Sequence, residues 1–177
     1  MIQTIRLNDV LRETAARPLR DLVTRPTGAA IRVRILQAME TTHHPTTRLD
    51  FSEVGFLDFS CADEIVAKLL RDCAADHYLI LWHLDDAQAE AIDHVLERQG
   101  LAVVAVPRGG GPLVLGAATA ELRLAFRAVL EGGPGDADRL ADRLAWSLER
   151  TANALQALAL HRLVVAAHGT FSPLPLQ

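Results

Sequence analysis

Leu49-Asp50-Phe51-Ser52-Glu53-Val54-Gly55-Phe56-Leu57-Asp58-Phe59-Ser60-Cys61-Ala62-Asp63-Glu64 is the stretch that decides the fold of the first half. Arg48–Phe51 reads as a short strand. A loop then turns the chain, and Asp58 and Ser60 stand just before a strong helical pattern over Ser60–Ala75. In that pattern Ala62, Ile65, Val66, Leu69, Leu70 and Cys73 recur at helical spacing. Asp63, Glu64, Lys68, Arg71 and Asp72 fall on the opposite, outer face, with Glu64 and Lys68 placed for an i,i+4 pair.

Moving outward, apolar runs alternate with helical patterns. Ile2–Leu7 and Leu19–Thr24 read as extended segments. Thr27 is expected to cap a helix through Ile31, Ile35, Leu36 and Met39, which His43-His44-Pro45 stops. Tyr78–Leu84 and Leu101–Val106 read as buried strands on either side of a helix over Asp85–Arg98 that ends at Gly100. Near-continuous apolar strands separated by helices predict an α/β layer with a partly parallel sheet over residues 1–107. Pro107-Arg108-Gly109-Gly110-Gly111-Pro112 then interrupts every pattern. Residues 108–120 are either a glycine-rich linker or a hairpin whose second strand is Leu113–Leu115.

Residues 121–177 carry a different pattern. Glu121–Glu131 reads as a helix with Leu122, Ala125, Phe126, Val129 and Leu130 inward, closed by Gly132-Gly133-Pro134-Gly135. Asp136 is expected to cap a second helix with Ala137, Leu140, Ala141 and Leu144 inward. Ser147 is expected to cap a third, with Leu148, Ala152, Leu155 and Ala159 facing the core. Leu163–Ala167 and Thr170–Leu174, joined by His168-Gly169, read as a hairpin.

Composition bounds the function. Of 177 residues, half are hydrophobic and only 5% aromatic, so a disordered chain is excluded. No uncharged apolar run approaches the ~18 residues that a membrane-spanning helix requires. The opening residues lack the apolar segment of a secretory leader, and the expected compartment is the cytoplasm. Cys61 and Cys73 are too few for a disulfide framework or a cysteine metal cluster. Residues 1–120 hold 12 basic and 16 acidic side chains and residues 121–177 hold 6 of each, so neither half shows the basic excess usual for nucleic-acid binding.

Phosphate-cradling glycine motifs are absent, because Gly109–Gly111 is followed by Pro112, which lacks a backbone donor. His43-His44 is an adjacent pair before proline rather than an i,i+4 zinc pair. Asp85-Asp86 reads as charge complementing a helix N-terminus. Nothing pairs a nucleophile with a base. The expectation is a non-enzymatic protein with no cofactor, no metal and no catalytic residue.

The segment 49–64 resembles the STAS fold of anti-sigma-factor antagonists, in which a strand is followed by a Phe-hydrophobic-Asp-Ser-Ser-Gly-like motif. It is more similar still to a STAS-like family whose motif reads Asp-Phe-x-x-Val and then Ser-x-Ala-Asp-Glu, matched here by Asp50, Phe51, Val54, Ser60, Ala62, Asp63 and Glu64. The resemblance covers roughly residues 1–106. It implies a signal-receiving domain in which Ser60 is phosphorylated by a partner of the kinase-like ATPase kind, with Asp58 supporting the loop. Phe59 and Cys61 depart from the small residues the antagonists carry there. The alternative from the residues alone is that Ser60 is a plain N-cap, with Asp63 completing a capping-box variant. Since Asp caps as well as Ser, Ser60→Asp is expected to keep the fold.

Residues 121–175 resemble the winged helix-turn-helix domains of transcriptional regulators. On the third helix Arg150, Asn153, Ala154 and Ala157 are expected to share a face beside Gln156, with Arg162 and Thr170 nearby as further DNA contacts. Glu149 and a wing of His168 and Thr170 without Lys or Arg leave protein contact or homodimerisation open. The implied function is a regulatory protein, a STAS-like domain coupled to a winged helix in transcription regulation. Its alternative is a protein–protein adaptor with no nucleic-acid contact.

Overall fold

The computed structural model describes residues 1–15 and 19–177. The chain divides into two compact units, Met1–Ala117 and Ala118–Gln177. The first is α/β. Its strands β1 (Ile2–Arg6), β2 (Thr46–Asp50), β3 (Tyr78–Leu84), β4 (Ala102–Pro107) and β5 (Leu113–Gly116) form one sheet in the order β1-β2-β3-β4-β5. The first four run parallel and β5 is antiparallel to β4. The sheet is therefore mixed.

Helices α1 (Leu7–Thr14) and α2 (Arg25–Thr42) join β1 to β2. Residues 59–72 form α3, which joins β2 to β3, and α4 (Asp86–Arg98) joins β3 to β4. Each crossover steps to the next strand in the same direction, which leaves the helices on one face of the sheet. Accordingly Ile5, Leu49, Leu81, Val103 and Leu115 from the strands share one core with Leu11, Ile31, Ile35, Ile65, Leu69, Ile92 and Leu96 from the helices. Along β1 and β2 the alternate positions Thr4, Arg6, Arg48 and Asp50 point to the other face, as the period of two requires.

Several expectations are corrected. β1 stops at Arg6, and Leu7 begins a helix whose Leu7 and Leu11 are fully buried. Leu19–Thr24 makes a single bridge, Leu22 to Leu57, instead of a strand. α2 starts at Arg25 with Thr24 as the boundary residue, so Thr27 lies inside the first turn; Pro26 fixes φ there at a helical value. The helix at residues 59–72 is not uniform. It runs as an α turn Phe59–Ala62, a π segment Asp63–Lys68 and a final α turn Leu69–Asp72. The wider π turn carries Glu64 out of the exposed face and buries it to 2%. Gly109–Gly111 lies in the turn that pairs β4 with β5.

The second unit contains α5 (Ala120–Gly132), α6 (Ala137–Leu144), α7 (Leu148–Leu160) and a hairpin of β6 (Val164–Ala167) and β7 (Thr170–Pro173). Thr119, Asp136 and Ser147 each cap a helix with a side-chain oxygen. His168 and Gly169 take positive φ in the hairpin turn, as a tight two-residue turn demands. The core face of α7 is Thr151, Ala154, Leu155 and Leu158, rotated from the expected one: Leu148 is half-exposed and Ala154 is buried. Thr151 is tolerated inside because its hydroxyl donates to the Ser147 carbonyl at 2.9 Å. Among the described residues no helix is long and apolar enough to cross a membrane.

Candidate functional site: the start of helix α3

Asp58, with extended backbone, is the N-cap of α3. One carboxylate oxygen accepts from the Cys61 backbone N–H at 2.7 Å and from the Ser60 hydroxyl at 2.8 Å; the other accepts from the Thr24 N–H at 2.9 Å. Ser60 is therefore not the cap. It sits in the first turn and donates to the residue that is. Burial pushes the Asp58 carboxyl upward, but the N–H groups of Cys61 and Thr24 and the Ser60 hydroxyl outweigh it and hold the group below the ordinary carboxylate value.

The loop ahead of the helix is stitched to the segment before α2. Gly55 N–H donates to Arg20 O at 2.8 Å, Leu22 N–H to Phe56 O at 2.8 Å and Asp58 N–H to Leu22 O at 3.0 Å. Cys61 is buried with its thiol on the Thr24 carbonyl at 3.0 Å. Burial, reinforced by the Asp58 carboxylate, pushes that thiol up to about 12, so it is no thiolate nucleophile.

This loop holds two exposed aromatic side chains, Phe56 at 62% and Phe59 at 59%. They border a groove of about 520 Å³ whose other wall is α4, through Ala87, Glu90, Ala91, His94 and Glu97. The Phe59 ring lies 5.1 Å from that of His94. The groove is thus an exposed aromatic patch flanked by carboxylates, Asp58 on the loop and Glu90, Asp93 and Glu97 on α4.

The pattern of apolar residues did not reveal the ionic cluster one turn along. Buried Glu64 receives Arg25 at 2.8 Å and Lys68 on one oxygen, while the other lies 3.3 Å from Arg32. Arg25 also bonds Asp63 at 2.6 Å, Gln99 donates to Asp63 at 2.6 Å and Arg32 pairs with Asp72. The signal available in the sequence was Gly28, midway between Arg25 and Arg32. A Cβ there would meet Glu64 Cβ at 2.9 Å and Cys61 Cα at 3.1 Å, so α2 and α3 approach closely at that point.

The residues expected to read DNA are brought together only in part. Asn153 and Gln156 share an exposed face of α7 with Glu149 and Leu160. Arg150 is held elsewhere: its guanidinium pairs with Glu121 on α5 and lies 4.1 Å over the Trp146 ring. Ala154 is in the core. Arg162 follows α7 at φ +57°, and Thr170 opens β7 at the hairpin tip. Among the described residues no cluster of three or more His, Cys, Asp or Glu side chains is placed to hold a metal ion. No protein-family model matches the chain, and neither does any curated protein.

The cap geometry changes what substitutions should do. Asp58→Ala is expected to cost about 1–2 kcal/mol, the worth of a good N-cap, whereas Ser60→Ala, which removes only a donor to that cap, should cost less than about 1 kcal/mol. Ser60→Asp places a second carboxylate against Asp58 and should destabilise, in contrast to the expectation that it substitutes as a cap. Urea unfolding of the three variants checks the order. Equal losses for Asp58→Ala and Ser60→Ala would refute it.

Proposed function

We propose that the chain is a non-enzymatic regulatory protein of the cytoplasm, in which a STAS-like α/β unit receives a protein signal and a winged helix transmits it, in transcription regulation. The observation that carries the reading is the start of α3: a serine hydroxyl 2.8 Å from its capping aspartate, beside exposed Phe56 and Phe59. A phosphoryl group on Ser60 would set about two negative charges against Asp58 and disturb the cap and the adjoining groove together. The modification thus has a local target.

The second unit supports the winged-helix reading by its order of elements. α6 and α7 are separated by three residues, Ala145–Ser147, with Ala145 at φ +53°. Gly135, between α5 and α6, exchanges two backbone hydrogen bonds with Phe171 of the hairpin, at 3.0 and 2.8 Å. Helix, bridge, helix, short turn, helix and hairpin is the order of elements that a winged helix-turn-helix would have, which supports the reading.

The adaptor reading, with no nucleic-acid contact, is favoured by Arg150. The side chain best suited to a base edge is engaged by Glu121 and Trp146, and Leu148 and Leu160 are exposed on the same helix, Leu160 at 82%. The two readings separate on DNA retention by the full chain. A DNA reader holds genomic fragments at low salt and loses them steeply as salt rises, and Asn153→Ala weakens its specific site by ~1–3 kcal/mol. Absence of retention at the lowest salt leaves the adaptor.

A further inference from the structure

Phe56 and Phe59 are exposed on the loop ahead of α3, and across from them Ala87, Glu90, His94 and Glu97 recur along one exposed face of α4 at i, i+3, i+7 and i+10. The groove between them, about 520 Å³, is large enough to seat a ligand. Val23, 39% exposed, lies between Leu22 and Thr24, which both bond Asp58, and it lengthens the apolar strip. An exposed apolar strip that ends in a walled groove is a surface built to be covered.

The charges around it are of one sign. Asp58, Glu90, Asp93 and Glu97 line the groove, and among the described residues no lysine or arginine does; the one imidazole is that of His94, against the Phe59 ring. Arg98, in the last turn of α4, lies outside the lining. On the far side of the loop Arg20 is followed by Asp21, whose carboxylate accepts from the Phe56 N–H at 2.9 Å, so the two charges there offset each other. Asp58 and Asp93 are committed to backbone, Asp93 accepting from the Gly116 N–H at 2.7 Å. Glu90 and Glu97 are exposed and make no ion pair among the described residues. They are the charges a ligand would meet.

A lining of this sign repels phosphate, so nucleic acid and anionic lipid are poor occupants. A second copy is also disfavoured, because a two-fold interface sets a patch against itself and would bring the carboxylates of both copies together. A peptide segment with cations beside large apolar side chains meets both features. Its apolar stripe covers the phenyl rings as a helix covers a groove, and its cations face Glu90 and Glu97. Guanidinium is favoured over ammonium, because it also stacks on an aromatic face. We infer, on the reading that the start of α3 receives a protein signal, that the groove between Phe56, Phe59 and α4 binds a basic amphipathic segment of a partner protein, an apolar stripe flanked by arginine.

The test titrates the full chain with short dye-labelled peptides and reads fluorescence anisotropy. The probe is an amphipathic peptide of Leu and Arg; its controls keep the pattern with Glu in place of Arg, or with Ser in place of Leu. Saturable binding of the Leu/Arg peptide alone, weakening as salt rises, is expected. Phe56→Ser, at an exposed position, should weaken it by roughly tenfold, and Glu90→Gln with Glu97→Gln by roughly fivefold. Reversal of both charges, Glu90→Arg with Glu97→Arg, should transfer binding to the Leu/Glu peptide. Asp142→Asn, exposed in the second unit, should bind as the parent does. No saturable binding of the Leu/Arg peptide, equal binding of all three peptides, or a preference that survives both Phe56→Ser and charge reversal would overturn the assignment. So would a dimer of the parent that Phe56→Ser dissociates in gel filtration, since a second copy would then hold the groove. Ser60→Asp keeps the two readings apart. If it binds as the parent does, the groove assignment stands and the phosphorylation signal falls; if the parent itself fails to bind, the assignment alone falls.

Discussion

Gly116→Ala should cost ~3 kcal/mol or more in urea unfolding of the full chain, the largest effect expected from adding a single methyl group to the α/β unit. Gly116 ends β5 at φ +97°, and a Cβ there would lie 2.2 Å from the Leu101 carbonyl oxygen and 2.7 Å from Leu96 Cβ. A side chain in the left-handed region costs roughly 1–2 kcal/mol, and forcing a methyl group into a filled core adds ~1–3 kcal/mol. The Leu101 carbonyl has no easy retreat, because it accepts from the Ala117 N–H at 2.8 Å. Gly109→Ala supplies the contrast. It has a similar problem of backbone sign at φ +69° but nothing within 4 Å of the new methyl group, so only the backbone cost of about 1 kcal/mol should appear. Equal losses at the two positions would show that the close approach of β5 to the β4 entry contributes nothing.

The same hairpin marks where sequence reasoning reaches its limit. Gly109–Gly111 between prolines is compatible with a tether or a turn, and only the pairing of Leu113–Gly116 with β4 distinguishes them. Strands whose side chains are apolar on both faces were legible: Tyr78–Leu84 coincides with β3, and the Asp85–Arg98 helix begins one residue later than read, because Asp85 is its cap and exchanges bonds with Gln88. α1 was hidden because Leu7 and Leu11 alone give only one helical turn of pattern. In α7 the pattern assigned Leu148, Ala152, Leu155 and Ala159 to the core, a set that leaves out Thr151, which is buried. The hydroxyl of Thr151, bonded to the helix backbone, allows that burial.

At the candidate site the cap residue was legible and its role was misplaced. Asp58 and Ser60 both read as standing just before the helix, with Ser60 as its cap, and a pattern cannot say which of the two accepts the free N–H groups. The hydrogen bonds from Thr24 and Cys61 assign that role to Asp58. The polar rows on the other face of the sheet were not legible at all. Thr4, Arg6, Arg48, Asp50 and Trp82 are far apart in the sequence, and only the parallel register brings them into two neighbouring rows.

Glu64 is the site of the other large effect, a loss of about 2–3 kcal/mol for Glu64→Ala. Its side chain is only 3% exposed, yet a uniform helix would have turned it to solvent as an ordinary i,i+4 partner of Lys68. Removing one member of a fully buried ion pair costs ~3–5 kcal/mol. The figure is smaller here because Lys68 can reach water, whereas Arg32, whose Nε is buried without a hydrogen bond among the described residues, cannot do so freely. The effect also has a pH signature. Burial pushes the Glu64 carboxyl up, but Lys68 and Arg25 outweigh it and hold the group below its ordinary 4.5; Asp63, bonded by Arg25 and Gln99, is likewise held below 3.8. A carboxyl held down by the fold contributes stability that is complete above its ordinary value and is lost as pH falls through the folded one. The parent should therefore lose stability progressively as pH drops below about 4.5, and Glu64→Gln, which cannot titrate, should show a shallower decline. Parallel pH profiles for parent and Glu64→Gln would mean that the cations around Glu64 leave its ionisation as it is in the unfolded chain, and that the cluster between α2 and α3 holds its place by packing at Gly28 alone.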